Sequence, residues 1–428
     1  MLALMFLLFF ALLFLGFPIY SLILISALVP LAVFYPQLPL TIVVQNMVDG
    51  VRYFTFLAIP LFIFAGKIMG AGRISDKLVE FVQTMLGHVS GGLAQTTVAS
   101  CALFGAISGS TPATVASIGG AIYPKLIKAG YRDSWSLALI VNSSNLAALI
   151  PPSILLIIYG VNVGASIGEL FISGIGPGIF VALLFMVYCY FWAKKNHIPM
   201  KEKSSWKDRW VAFQGAKWAL GLPFIILGGI FGGIFSPSET AAVAVLYAVI
   251  VEIFIYKSLR LRDIFIIAIE TGELTAVVFI LLGTTQFFSW VLTFSQVPQR
   301  LLSYLVSSQY MNRWTFLLLV NVSFFIACMV IDGVPAMLIM NPIFYPVAMN
   351  FGIDPIHLGV IIAMQTTIGA GTPPFGVNIF TACSVFKEKY MKVISEVWVF
   401  IWILVFTAII VSVFPQIPLF LRDLVYSK

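Results

Sequence analysis

Four short segments hold most of the polar chemistry of an otherwise apolar chain: SGSTPAT (108–114), NSSNLAALIPPS (142–153), IDGVPA (331–336) and QTTIGAGTPPFGVN (365–378). Each combines Gly or Pro with Ser, Thr, Asn or Asp. Proline and glycine interrupt the helical ladder, freeing carbonyls at one half-helix end and N–H groups at the other. Carbonyls together with hydroxyls suit a hard cation such as Na⁺, whereas the N–H ends suit an anion such as a carboxylate. One segment alone reads equally well as a packing kink, because small and hydroxylated residues are common where membrane helices touch. Four of them, two in each half of the chain, favour a binding role.

Asp332 stands out among single residues, since a carboxylate inside an apolar stretch is costly and by default functional. It either ligates a cation or caps the half-helix that begins near Gly333–Pro335. Glu239 in SPSET (236–240) reads as an N-terminal helix cap. Arg52, just after Asp49 and before an apolar run, reads as an interfacial anchor, with contact to an anionic substrate as the alternative. Other chemistries lack their residues. There is no GxxxxGK[ST] or HExxH, no arginine ladder and no Asp dyad. The chain is therefore not expected to be an enzyme or to need a cofactor. His88, His197 and His357 are too scattered for a transition-metal site, leaving Na⁺ as the expected ion. The four cysteines sit singly in apolar runs, as small membrane residues do.

These segments are set in 428 residues that are 61% hydrophobic and only 10% charged, with a mean hydropathy of +1.04. A soluble domain is roughly 45–50% apolar and about 25% charged. The composition excludes a soluble enzyme, a nucleic-acid-binding protein and a disordered scaffold. Continuous runs such as LALMFLLFFALLFLGF (2–17) exclude a β-barrel, whose strands alternate. The expected fold class is an all-α polytopic membrane protein embedded in a lipid bilayer. Apolar runs long enough to span lie at 2–35, 54–71, 135–160, 170–193, 218–236, 239–256, 264–294, 355–384 and 395–421. Two more, 92–122 and 315–350, are interrupted near their middles, for about 11 crossings plus two interrupted segments. The N-terminal run lacks a basic leader and a small-residue cleavage site, so it reads as a retained span.

The net charge of +7 sits largely in short loops. KKNHIPMKEKSSWKDRWVAFQGAK (194–217) carries seven cations and KSLRLR (257–262) the next group. Two spans separate these loops, so both are expected on the cytoplasmic side. The first also divides the chain into halves, 1–193 and 218–428, that resemble each other. An offset of 222 carries Tyr123 onto Tyr345, Pro124 onto Pro346, Gly130 onto Gly352 and Pro151–Pro152 onto Pro373–Pro374. Internal repeats flanking interrupted helices mark secondary transporters.

At these segments the sequence resembles the large (DctM-type) membrane subunit of tripartite ATP-independent periplasmic (TRAP) transporters. The resemblance rests on FLAIPLFIFAGKIM (56–69), GHVSGGLAQTTVASCALFGAISGSTPATVASIG (87–119), LIPPSILLIIYG (149–160), FISGIGPG (171–178), GGIFSPSETAAVAV (232–245), GIDPIHLGVI (352–361) and TPPFGVNIF (372–380), in the family's order. It implies an elevator-type transporter of two inverted repeats in the bacterial inner membrane. Such a subunit couples organic-acid uptake to a sodium gradient. It works with a small four-helix membrane subunit, expected here as a separate polypeptide, and a periplasmic substrate-binding protein. It further implies re-entrant hairpins near 90–122 and 315–350, each facing an unwound helix, at 142–153 and 365–378. Carried over residue by residue, one sodium site involves Ser108, Ser110, Thr111, Ser144 and Asn145, and the other Asp332, Gly333, Thr366, Thr367, Gly369 and Thr372. Substrate would lie between the tips, against Ser110, Thr111, Pro112, Gly333 and Pro335.

The resemblance leaves the substrate open among C4-dicarboxylates, sialic acid, keto-sugar acids and related acids. A stand-alone sodium/divalent-anion symporter and an anion channel are the alternative functions. The first would transport without partners, and the second without sodium dependence.

Overall fold

A backbone in hydrocarbon must satisfy its own hydrogen bonds, so long apolar runs become helices. The computed structural model describes residues 1–307 and 311–426; residues 308–310 and 427–428 of the second half lie outside these. Every regular element among the described residues is helical. Phe54–Ala71, Ile167–Lys195, Trp206–Phe231, Pro237–Ile255, Leu261–Phe294 and Arg313–Val330 are each long and apolar enough to cross a membrane. Trp398–Val413 and Gln416–Tyr426 make a seventh candidate, bent by 55°. The remaining apolar length is divided among shorter helices such as Leu2–Phe14 and Ile19–Phe34.

Two hairpins and two broken helices organise the fold. The first hairpin joins Gly92–Ser108 to Thr111–Lys128, and the second joins Arg313–Val330 to Gly333–Asn350. Between the arms of the first, Gly109 turns the chain at φ +59°, and Ser110 caps the returning helix by accepting the N–H of Ala113 at 3.4 Å. The first broken helix runs as Asp133–Ser143, a 3₁₀ turn Ser144–Ala148, and Ile154–Val163. The second runs as Pro355–Ala370 and Val377–Phe386. Pro151–Pro152 and Pro373–Pro374, both cis, lie in the two breaks. The 135–160 and 355–384 runs thus enter the protein as half-helices.

The structure revises several expected boundaries. The first hairpin extends to Lys128. The second break is shorter than 365–378: the helix continues through Ala370, so Thr366, Thr367 and Gly369 are helical. The first proline lies only at 373, too far along to unwind the preceding turns. Half of the 194–217 stretch is also helical. Ser205 and Asp208 close a capping box that starts a helix at Trp206. Two amphipathic helices, Ile74–Leu86 and Val297–Ser307, fall where no span was expected, because polar and charged residues interrupt their apolar positions.

The offset of 222 holds for elements as well as motifs. It carries the start of Thr111–Lys128 onto Gly333–Asn350, Asp133–Ser143 onto the start of Pro355–Ala370, and Ile74–Leu86 onto Val297–Ser307 to within a residue or so. It places Ser110 on Asp332, each the N-cap of its hairpin's second arm. Gly130 and Gly352 coincide as well, at φ +88° and +65°. Packing is reciprocal: Ile19–Phe34 lies on Leu261–Phe294, while Pro237–Ile250 lies on Ala58–Ala71. Such reciprocity is what a two-fold relation between repeats produces. Asp133–Ser143 and Pro355–Ala370, the first halves of the broken helices, are almost wholly buried, whereas only 11% of the apolar window of Leu261–Phe294 is buried. That helix therefore offers its sides to lipid or partner.

Candidate functional site

The two broken helices cross where their ladders are interrupted. Asn142, Ser143, Ser144 and Asn145 come from the first, and Thr366, Thr367, Thr372 and Asn378 from the second, and all eight are buried. Asn378 Nδ2 donates to Asn145 Oδ1 at 2.8 Å and to the carbonyl of Val141 at 3.3 Å. Gly371 passes so close that a Cβ there would stand 2.9 Å from Asn142 Oδ1 and 3.1 Å from Asn145 Nδ2. Glycine is what lets the second break approach the first. Asn142 Oδ1, Ser143 Oγ, Asn145 Nδ2 and Asn378 Oδ1 are buried with no hydrogen-bond partner. Unpaired polar atoms are costly in a protein interior, so this cluster marks a place equipped for a polar guest.

The hydroxyls nearby are oriented consistently. Ser144 donates to Ile140 O at 2.8 Å, Thr366 to Ala363 O at 2.8 Å, Thr367 to Met364 O at 2.7 Å and Thr372 to Ile368 O at 2.6 Å. With their protons committed to backbone carbonyls, these oxygens offer lone pairs only. That is the electronic requirement for a cation ligand.

The first hairpin packs on the break of its own half, and the second on the turns just before its break. Ile154 N–H donates to Gly109 O at 3.5 Å, and a Cβ on Gly109 would lie 2.5 Å from Pro152 O. A Cβ on Gly105 would meet the Cα of Ala147 at 2.5 Å, and Cys101 Sγ lies 3.9 Å from Ser144 Oγ. In the second half a Cβ on Gly333 would lie 2.8 Å from the Cβ of Thr366, and one on Gly369 would overlap Cys328. The offset carries Ala147 onto Gly369 and Gly105 onto Ala327, beside Cys328. The same hairpin-to-break contact therefore recurs with its glycine on the opposite partner.

Of the residues singled out from the sequence, Ser144 and Asn145 lie at the crossing, and Gly333 lies against Thr366. Asp332 caps its own helix, accepting the N–H of Val334 at 3.2 Å. Ser108 and Ser110 serve the first tip, where the Ser110 N–H donates to Ser108 Oγ at 3.4 Å. Thr111 and Pro112 open the returning helix there, and Pro335 is buried in the equivalent turn of the second hairpin. No hydrogen bond among the described residues joins the two tips. Glu239 caps its helix through Ser236 at 2.8 Å. Arg52 is exposed and paired with Asp49 at 2.9 Å. Asn142, Ser143 and Asn378 belong to the crossing but not to the residue sets drawn from the sequence. Their signal was an asparagine pair at i, i+3 beside a break, answered by an asparagine just past the second prolyl pair.

The starts of both broken helices are held by ions at repeat-equivalent positions of opposite sign. Arg132, N-cap of the first, pairs with Glu396 at 3.5 Å and lies 5.5 Å over the Trp192 ring. Beside it Lys392 bonds Asp133 at 2.9 Å and Glu388 at 2.8 Å, and these bonds hold its ammonium well above the usual lysine range. Asp354, N-cap of the second, accepts from Ile356 N–H at 2.8 Å and His357 N–H at 3.2 Å and pairs with Arg422 at 2.6 Å. Burial pushes the Asp354 carboxyl up, but the Arg422 bond and the backbone donors outweigh it and hold it below its ordinary value.

Residues 6–417 match the family model described as the DctM component of tripartite ATP-independent periplasmic transporters. The chain belongs to this family. It is the large permease subunit of a TRAP transporter, a multi-pass membrane protein and not an enzyme. The permease is 48% identical to the ectoine TRAP transporter large permease protein TeaC of Halomonas elongata over 90% of each chain. It is 45% identical to the ectoine/5-hydroxyectoine large permease protein UehC of Ruegeria pomeroyi over 100% of each. Among solved structures, the YdaH transporter of Alcanivorax borkumensis shares the permease's fold with a TM-score of 0.59 at 14% identity, covering 87% of this chain and 86% of the other.

Proposed function

We propose that this permease drives uptake of a small organic acid across the bacterial inner membrane by coupling it to entry of Na⁺. In this reading a periplasmic binding protein delivers the substrate, a small membrane subunit completes the assembly, and the hairpin and broken-helix core moves as an elevator. The observation that carries the reading is the crossing of the broken helices. There, Gly371 comes up against the Asn142 and Asn145 carboxamides, which hold unpartnered atoms, and the neighbours in sequence, Ser144 and Thr372, have hydroxyls with committed protons. Lone-pair oxygens suit Na⁺, while the freed N–H groups of the half-helices and the Asn145 carboxamide suit a carboxylate.

The substrate follows from the same chemistry. Asp332 is the only charged side chain among the singled-out site residues and the carboxamide cluster, so no fixed cation waits to neutralise a dianion. A zwitterion with one carboxylate, of the ectoine type named for the two relatives, fits such a site with bound Na⁺ as its counter-charge. The test is calorimetric titration of the partner binding protein with an ectoine-type zwitterion, a C4-dicarboxylate and a neutral sugar. Tightest binding of the zwitterion is expected. Preference for the sugar would refute a carboxylate substrate, and preference for the dicarboxylate would refute the zwitterion alone.

A further inference from the structure

The N-terminal end of Trp206–Phe231 lies against the amphipathic helix Ile74–Leu86, and between them opens a cleft of about 470 Å³. Lys77, Lys201 and Lys207 line it, with Glu80, Glu202 and Asp208. The charges are not equally available. Lys77 is paired with Glu80 at 2.8 Å, and Asp208 accepts the Ser205 N–H at 3.1 Å and its hydroxyl at 2.7 Å. Among the described residues Lys201, Lys203 and Lys207 enter no ion pair, and Nε and one Nη of Arg209 are buried without a partner. Glu202 is the one acid there with no such engagement. The lining itself balances three cations against three acids, and Lys203 and Arg209 of the same segment tip the region to positive.

A second face of the same helix fixes where that charge sits. Trp206, Trp210 and Phe213 recur at i, i+4 and i+7. The two tryptophans are 79% and 56% exposed, and Trp210 stacks on Phe213 at 5.6 Å. Exposed tryptophans at the end of a spanning helix settle at the headgroup level of a bilayer. Lys207, Val211 and Gly215 recur at i, i+4 and i+8 on the neighbouring face and line the cleft. We infer that this cleft binds the headgroup of an anionic phospholipid of the adjoining leaflet. The phosphate would lie against Lys201 and Lys207, and the acyl chains would run down the aromatic face.

The inference stands apart from the transport reading, and its test needs no uptake. The full chain is placed in nanodiscs of phosphatidylcholine alone or with a minority of phosphatidylglycerol. Backbone hydrogen exchange is then followed over residues 196–213. Phosphatidylglycerol is expected to slow exchange there in the wild type. Each cation near an anionic surface is worth about a fivefold change in association, so K201Q/K207Q should lose the protection. K201R/K207R, which keeps the charge, should retain it, as should K194Q/K195Q, which removes two charges outside the cleft. Unchanged exchange over Asp133–Ser143 reports that the variants are folded. The inference is overturned if phosphatidylglycerol gives no protection, if K194Q/K195Q loses it equally, or if inorganic phosphate reproduces it in phosphatidylcholine discs.

Discussion

Thr372 shows how a single hydroxyl serves both structure and ion. Its proton goes to Ile368 O at 2.6 Å, which steadies the last turn before the break and turns its remaining lone pairs outward. Thr372→Val preserves the shape and removes the oxygen. If that oxygen ligates Na⁺, the Na⁺ concentration for half-maximal uptake should rise about 5- to 150-fold, the equivalent of about 1–3 kcal/mol for a lost polar partner. Thr372→Ser should largely restore it, and Ser144→Ala, in the other half, should act like Thr372→Val. Uptake titrated against Na⁺ in folded variants measures this, and an unchanged sodium dependence would return both hydroxyls to a purely structural role. Asp354 carries a different prediction. Its carboxyl is held below its ordinary value, so the stability it adds is present above the unfolded carboxylate's pKa of about 3.9 and is lost as pH falls through the lower folded value. Asp354→Asn keeps a capping oxygen and loses only a partly exposed ion pair, at a cost under about 1 kcal/mol. Asp354→Ala loses the cap as well, for about 1 kcal/mol more. Thermal melting should rank them in that order at pH 7, with wild type and Asp354→Asn converging in strong acid.

At the scale of elements, the contact between each hairpin and its facing break is the most constrained joint in the interior. Gly369 meets Cys328 in the second half as Gly105 meets Ala147 in the first. Gly369→Ala should overpack this joint, destabilise the protein by about 1–3 kcal/mol and depress uptake. Adding Cys328→Gly should recover part of the loss, because it recreates the first half's arrangement of glycine on the hairpin and alanine on the break. Melting and uptake of the single and double variants test this, and an additive double variant would show that the two positions are not coupled. The elements at this joint were legible in the sequence. SGST, IDG and the two prolyl pairs break the apolar pattern by local chemistry, and local chemistry is what a sequence displays. Ile74–Leu86 and Val297–Ser307 were not, since polar and charged residues alternate with their apolar positions. Nor was the carboxamide cluster, because Asn378 and Asn145 are 233 residues apart and only the fold brings them together. The extent of the second break was misjudged because a glycine-rich run before a proline can still complete a helix when its threonines bond back to their own carbonyls.

The whole molecule is two copies of one plan, and reciprocal packing gives each copy a share in the other's support. Leu261–Phe294 buries only 11% of its apolar window, as a subunit of a larger membrane assembly would. A permease that depends on its partners should take up little substrate alone. With the small subunit and a loaded binding protein, uptake should follow the sodium gradient. The most direct measurement is uptake of radiolabelled substrate into proteoliposomes, with an inward Na⁺ gradient or with K⁺ replacing Na⁺, for the permease alone and for the complete system. Sodium-coupled, protein-delivered transport predicts accumulation only in the complete system and only with the Na⁺ gradient. Equal uptake in K⁺, or robust sodium-driven uptake by the single chain, would contradict it.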